Sequence, residues 1–333
     1  MHISIRRTVN PSILLAVVWI AGCLLLWIAP SKLPQEFVES REVLPVLRFL
    51  QTILPVGCVI ANLLCVLLTI VNSVLLYQLN NVFTLIREKT FLLPLIFIIL
   101  ISSFHSTHYN IAANLSLMFL LIAFFNFLKM YHKVAQTEAA FLGSLLIACV
   151  GWLFFPEFLL LFVAVWLGLS ILRAMSIRVF LATLIGLVTP PIFCFVFYRT
   201  YFGMFVSYFK TMFIERQLFL QHSLDFQVLF FLSVFMILWA LSLIGIFTDA
   251  LRNTIRTRIN LNFVLLFFII VLCIIIGFPQ TIFAFLPLIS ALFAVFFAHP
   301  VSLKNSNFFN IIFIIFCITS VIYVLSNVIA NYL

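Results

Sequence analysis

Charge is what this sequence has least of. Of its 333 residues only 8% are Asp, Glu, Lys or Arg, and nine are acidic, while 65% are hydrophobic. A soluble domain carries roughly 25% charged residues because its surface must stay hydrated. Too few charges are present to clothe a water-exposed globule, and a mean hydropathy of +1.30 points the same way. The chain is expected to be solvated by lipid. Its 42 phenylalanines suit that solvent, since Phe adds apolar area without a polar atom to satisfy.

Missing motifs narrow the chemistry. There is no Walker A sequence, no GxSxG, no haem CxxCH, no HExxH and no paired Asp motif, so ATPase, serine hydrolase, cytochrome and zinc-hydrolase readings have no support. The seven cysteines all fall in apolar runs and none forms a CxxC pair. An odd number of thiols inside hydrocarbon argues against a disulfide framework or a zinc site. They read as small buried hydrophobes. No cofactor is called for. No Gly-Ser linker, long charged run or polar block interrupts the chain, so residues 1–333 read as one integral-membrane domain. The net charge of +9 comes from basic residues scattered singly between apolar runs, which points to membrane topology and not to nucleic acid.

Only a helix satisfies its own backbone in lipid, and spanning takes about 20 apolar residues. Candidate spans are 12–29, 53–76, 91–105, 113–130, 139–155, 158–172, 179–198, 227–247, 263–277, 281–298 and 308–330. The expected fold is therefore an all-α polytopic bundle of about eleven spans. Because 91–105, 158–172 and 263–277 are short, nine or ten spans with re-entrant hairpins is the alternative. The first run follows a basic start and has no convincing small-x-small cleavage site, so it reads as an uncleaved signal anchor.

With a cytoplasmic N-terminus, the inner segments hold twelve of the eighteen basic residues, among them Arg87, Lys89, Lys129, Arg173, Arg178, Arg256 and Arg258. Six of the nine acids fall outside. This two-to-one basic bias fits the positive-inside rule and puts the C-terminus outside. The outer segments 30–52 and 199–226 mix acids, bases and aromatics. In the second, Phe205, Tyr208, Phe209, Met212, Phe213 and Phe219 recur at helical spacing, with Lys210 and Arg216 off that face. That pattern predicts a helix lying in the outer leaflet.

"WLFFPEFLLLF", 152–162, sets Pro156-Glu157 at the outward tip of a tight helical hairpin. Pro favours the first turn of a helix, an acid there complements the helix dipole, and a tip charge reaches the headgroup layer at small cost. Phe278-Pro279-Gln280 repeats the tip without the charge. Glu157 is thus either a helix-start charge or a ligand-binding residue. His105 and His108 share a helix face but lack further metal ligands, and read as interfacial. Glu36, Glu39 and Glu42 lie along one face: a solvated loop helix, or carboxylates acting as general base or cation ligand beside a phosphate. Asn72, Asn80, Asn81 and Asn114 read as helix-to-helix hydrogen-bonding residues. Ionisable residues deep in the spans are essentially missing, which counts against an ion-driven transporter.

The stretch from "YQLNNVFTLIREKTFLLPLIFIILISSF" through "GWLFFPEFLLLFVAVWLGLSILRAMSIRVFLATLIGLVTPP" resembles an uncharacterised family of multi-pass inner-membrane proteins of Bacteroidota. Asn80-Asn81, Pro156 and Arg173 carry that resemblance over roughly residues 75–195. More distantly, the short spans, tight hairpins and outer amphipathic helix look like GT-C-type glycosyltransferases. That likeness implies a polyprenyl-phosphate-linked sugar as ligand and a catalytic acid in the first outer loop, where Glu36 or Glu39 stands. The loop here is short and has no paired Asp-Glu or Asp-Asp. Three classes follow: a transferase or accessory protein for lipid-linked sugars in envelope biogenesis, a non-catalytic membrane scaffold, or a transporter or flippase. Membrane lipids are expected partners in each. A ligand site, in the first class, is expected at the outer leaflet, with Arg199, Lys210 and Arg216 drawing a lipid-linked phosphate to the headgroup level.

Overall fold

The computed structural model describes residues 49–50, 52–53, 59–86, 90–108, 110–131, 136–197, 203–207, 226–248, 254–303 and 307–332. Among these residues the chain is helical throughout, with no strand. In order, the helices are α1 (Val59–Phe83), α2 (Leu92–Ser103), α3 (Ile111–Lys129), α4 (Thr137–Leu153), α5 (Leu161–Ile171), α6 (Ile177–Phe197), α7 (Phe226–Thr248), α8 (Ile255–Gly277), α9 (Ile282–Leu303) and α10 (Asn307–Tyr332). Three 3₁₀ turns, His105–His108, Pro156–Leu160 and Pro279–Thr281, precede α3, α5 and α9.

Six helices, α1, α3, α6, α7, α8 and α9, are long and apolar enough to cross a membrane. The remaining apolar helices are shorter: α2, α4, the Pro156–Ile171 unit, and Phe308–Val324 within α10. One expected short span is corrected. The helix anticipated over 263–277 begins at Ile255, because Thr254 caps it by accepting from Thr257 N at 3.3 Å. Arg256 and Arg258 fall in its first turns, where long cationic stems reach back toward water while the helix stays regular. The expected first span, 12–29, lies outside the described residues.

α9 is the most buried of the six long helices. It packs against α2, α3, α7, α8 and α10, and α2 is buried along its whole length. Around this centre, α1 packs on α3, α3 on α4, α4 on α6, and α5 on α8. Rings fill the interior. Phe231 stacks on Tyr323 at 3.9 Å between centroids, Phe235 meets Phe293 edge-on at 5.3 Å, and Phe124 meets Phe267 at 4.7 Å. Helix crossings are closest where a side chain is missing. A methyl placed on Gly168 of α5 would stand 2.5 Å from the Phe263 ring of α8, and one on Gly186 of α6 would run into Ser144 of α4.

Two helix ends use left-handed residues that are not glycine, Thr84 (φ 50°) and Arg173 (φ 54°). Arg173 closes α5: its N–H reaches Ser170 O at 3.1 Å and the Ala174 N–H reaches Leu169 O at 3.1 Å. That pair of bonds takes up the carbonyls a helix end leaves open. Thr84 closes α1 with its N–H on Asn80 O at 2.8 Å, and Asn80 Oδ1 then accepts from Ile86 N at 2.7 Å. Side chains of α8 finish the work. Asn260 Nδ2 donates to Phe83 O at 3.0 Å and Thr257 Oγ1 to Thr84 O at 3.0 Å. Asn80 of "YQLNNVF" thus holds a turn at the end of its own helix, where it was expected to bond helix to helix, and the helix contact there is made by α8 side chains on backbone carbonyls.

Candidate functional site

The Pro156 turn forms as the Pro-Glu spacing predicts. Phe154 and Phe155 N–H both reach Val150 O, at 3.0 and 3.1 Å, so α4 ends with a wider i to i−5 bond that takes up an open carbonyl. Phe155 is extended (φ −136°, ψ 101°), Pro156 opens the 3₁₀ turn, and Phe158 N donates to Phe155 O at 3.0 Å. At the neck, a methyl on Gly151 would sit 2.6 Å from Leu159 Cγ and 3.2 Å from Leu159 N, so glycine lets the two arms close. The Pro279 turn is built the same way, with Phe278 at φ −137° and Thr281 N on Phe278 O at 3.0 Å. The first tip packs on α9, the helix that follows the second: Phe158 stacks on Phe285 at 4.1 Å and 10°.

Glu157 does not project from the tip: it is 1% exposed, buried within the turn. Beside it, the 203–207 segment is helical and Phe205 stacks on Trp152 at 4.0 Å and 24°. Phe205 is 6% exposed and also packs on Leu159 and Cys194. One end of the bundle therefore carries both Phe-Pro tips, the buried Glu157 and an aromatic anchor from the segment expected to lie in the leaflet. Glu36, Glu39, Arg199, Lys210 and Arg216 lie outside the described residues, as does the rest of the 199–226 face.

A second polar locus occupies "SSFHSTHYNIAAN", where α2 stops and α3 starts. Thr107 Oγ1 lies 2.6 Å from both Ile101 O and Phe104 O, and the Thr107 N–H donates to Phe104 O at 3.1 Å. His108 Nε2 is 3.1 Å from Ser102 O; a carbonyl only accepts, so that nitrogen carries the proton. Asn110 caps α3 by accepting from Ala113 N at 3.0 Å. Asn114 Nδ2 donates to Thr107 O at 2.9 Å and Asn110 O at 3.2 Å, and Asn72 Nδ2 crosses from α1 to Asn114 O at 3.0 Å. Asn72 and Asn114 join helices as expected. His108 does not sit at an interface: it is 4% exposed, inside the break.

Glu157, His108 and His299 of α9, which is fully buried, amend the expectation that ionisable groups are essentially missing from the interior. His299 escaped the sequence reading because "FFAHPV" presents it as one polar residue in an apolar run. Among the described residues no three His, Cys, Asp or Glu side chains group as metal ligands. No family model, curated protein or solved structure matches the chain.

Proposed function

We propose that this chain is an eleven-span protein of the bacterial cytoplasmic membrane, with its N-terminus inside and its C-terminus in the periplasm, that handles an anionic lipid-linked ligand at the outer leaflet. Ten apolar helices fall one for one on ten of the eleven spans read from the sequence, and the basic bias supplies the orientation. In the reading the chain is a transferase or an accessory protein for polyprenyl-phosphate-linked sugars in envelope biogenesis, in line with the Bacteroidota and GT-C-type likenesses. Arg199, Lys210 and Arg216 hold the phosphate, Glu157 backs the site from inside the hairpin turn, and Glu36 or Glu39 acts on a bound hydroxyl.

The observation that carries the proposal is the Trp152–Phe205 stack. It sets Phe205, which belongs to the sequence stretch that carries Arg199, Lys210 and Arg216, against Trp152 of the hairpin whose tip acid is buried, and this supports a site at that end. The test is photocrosslinking of the membrane-embedded protein to a polyprenyl-phosphate probe. Lys210→Gln with Arg216→Gln is expected to lower labelling several-fold, while Arg256→Gln with Arg258→Gln leaves it unchanged at equal abundance and orientation. The reverse order of sensitivity sinks the outer-leaflet site.

A scaffold is the second reading. It is favoured by the interior described above, where rings pack on rings and most hydroxyls and amides are spent on helix carbonyls. A scaffold tolerates the loss of Lys210 and Arg216 together.

A further inference from the structure

With the Leu92 end of α2 set at a membrane face, the break between α2 and α3 falls at membrane depth. Twelve residues of α2 rise about 18 Å from its Leu92 end, at 1.5 Å per residue. From that same end of the bundle, Asn72 stands about 16 Å up α1 and Asn114 about 22 Å up α3, by the same rise. A hydrocarbon core is about 30 Å thick. Non-helical backbone is tolerated at such depth only where protein buries it or water reaches it. Here most of the freed carbonyls are taken up by side chains, as set out above, but two acceptors are left over. Asn72 Oδ1 and Asn114 Oδ1 are buried, in residues with no exposure, and no hydrogen bond from the protein meets either.

Amide orientation does not remove the problem. Each Nδ2 faces backbone carbonyls, so turning either amide around would set oxygen against oxygen. Leaving a buried acceptor without a donor is costly, and two stand on facing helices. We propose that α1 and α3 enclose an ordered water site in the bundle interior, a water O–H donating to each of Asn72 Oδ1 and Asn114 Oδ1. Water suits the chemistry because it brings two donors and is neutral. A cation is disfavoured on two counts. The two amide oxygens are uncharged, and the positive end of the α3 dipole lies on this side of the helix. Cys65, also unexposed, lies where its sulfur can accept from the Asn114 amide N–H, so it does not supply the missing donor.

Radiolytic footprinting of the full-length protein in nanodiscs tests this, because hydroxyl radicals generated at bound water label adjacent side chains even when they are buried. Cys65 is expected to be oxidised despite its burial, and labelling is expected to fall at least about fivefold in Asn72→Leu with Asn114→Leu. If that variant does not fold, a high-resolution density map of the unaltered protein decides. The map is expected to show a peak at hydrogen-bond distance, about 2.6–3.2 Å, from an amide oxygen of each asparagine. Unlabelled Cys65 beside labelled Met175, or a map without the peak, overturns the proposal. So does a peak ringed by oxygens at shorter, metal-like distances with stability that rises on titrating sodium.

Discussion

Gly186 gives the sharpest test of the packing. It lies on α6 where that helix crosses α4, and an added Cβ would collide with Ser144 Oγ and stand 2.9 Å from Phe141 O and 3.0 Å from Leu145 N. The last two are backbone atoms of a helix, so they cannot rotate aside. Ala for Gly in a helix gains about 0.8–1.0 kcal/mol from propensity, whereas overpacking costs about 1–3 kcal/mol. Gly186→Ala is thus expected to be destabilising by about 0–2 kcal/mol. Gly277, at the end of α8, has nothing within 4 Å of an added Cβ. Gly277→Ala keeps the propensity gain without the collision, so the gap between the two variants isolates overpacking, about 1–3 kcal/mol. Thermal unfolding of both proteins in one detergent, followed by tryptophan fluorescence, should separate them by roughly 2–6 °C, at on the order of 2 °C per kcal/mol for a long chain. Ser144→Ala added to Gly186→Ala removes the hydroxyl but not the backbone contacts, and should recover less than half the gap. Equal melting of the two single variants would refute the close α4–α6 crossing.

Asn260→Leu withdraws the donor from Phe83 O and is expected to cost about 1–3 kcal/mol, read by the same melting assay; an unchanged melting temperature would mean that α8 does not hold the end of α1. Trp152→Ala removes the stack on Phe205, so limited proteolysis near 203–207 should speed up several-fold while the bundle stays intact; unchanged cleavage would argue that the stack does not anchor the segment. Glu157→Gln is expected to keep normal membrane abundance yet lower polyprenyl-phosphate crosslinking several-fold, and unchanged labelling would return Glu157 to a purely structural part in the turn. A reporter fused after Tyr332 should be active only on the periplasmic side, and cytoplasmic activity would show a miscounted span.

Composition alone decided that the chain is a helical membrane protein, because lipid leaves an apolar chain no other way to satisfy its backbone than helices or a closed barrel, and the runs are helix-length. The Phe-Pro tips at Pro156 and Pro279 were equally legible, since proline restricts the backbone locally and needs no partner to do so. The length of α8 was not. Hydropathy dropped the segment with Arg256 and Arg258, whereas Thr254 and the contacts of Thr257 and Asn260 with α1 keep it helical. Nor could periodicity say that Glu157, His108 and His299 turn inward, because in a chain this apolar every face of a helix looks alike to the sequence. Which side chains meet, Asn72 with Asn114, Phe158 with Phe285, Trp152 with Phe205, was settled by close crossings at small residues and by carbonyls left open at helix ends. Those pairings join residues far apart in the chain, and only the packed bundle brings them together.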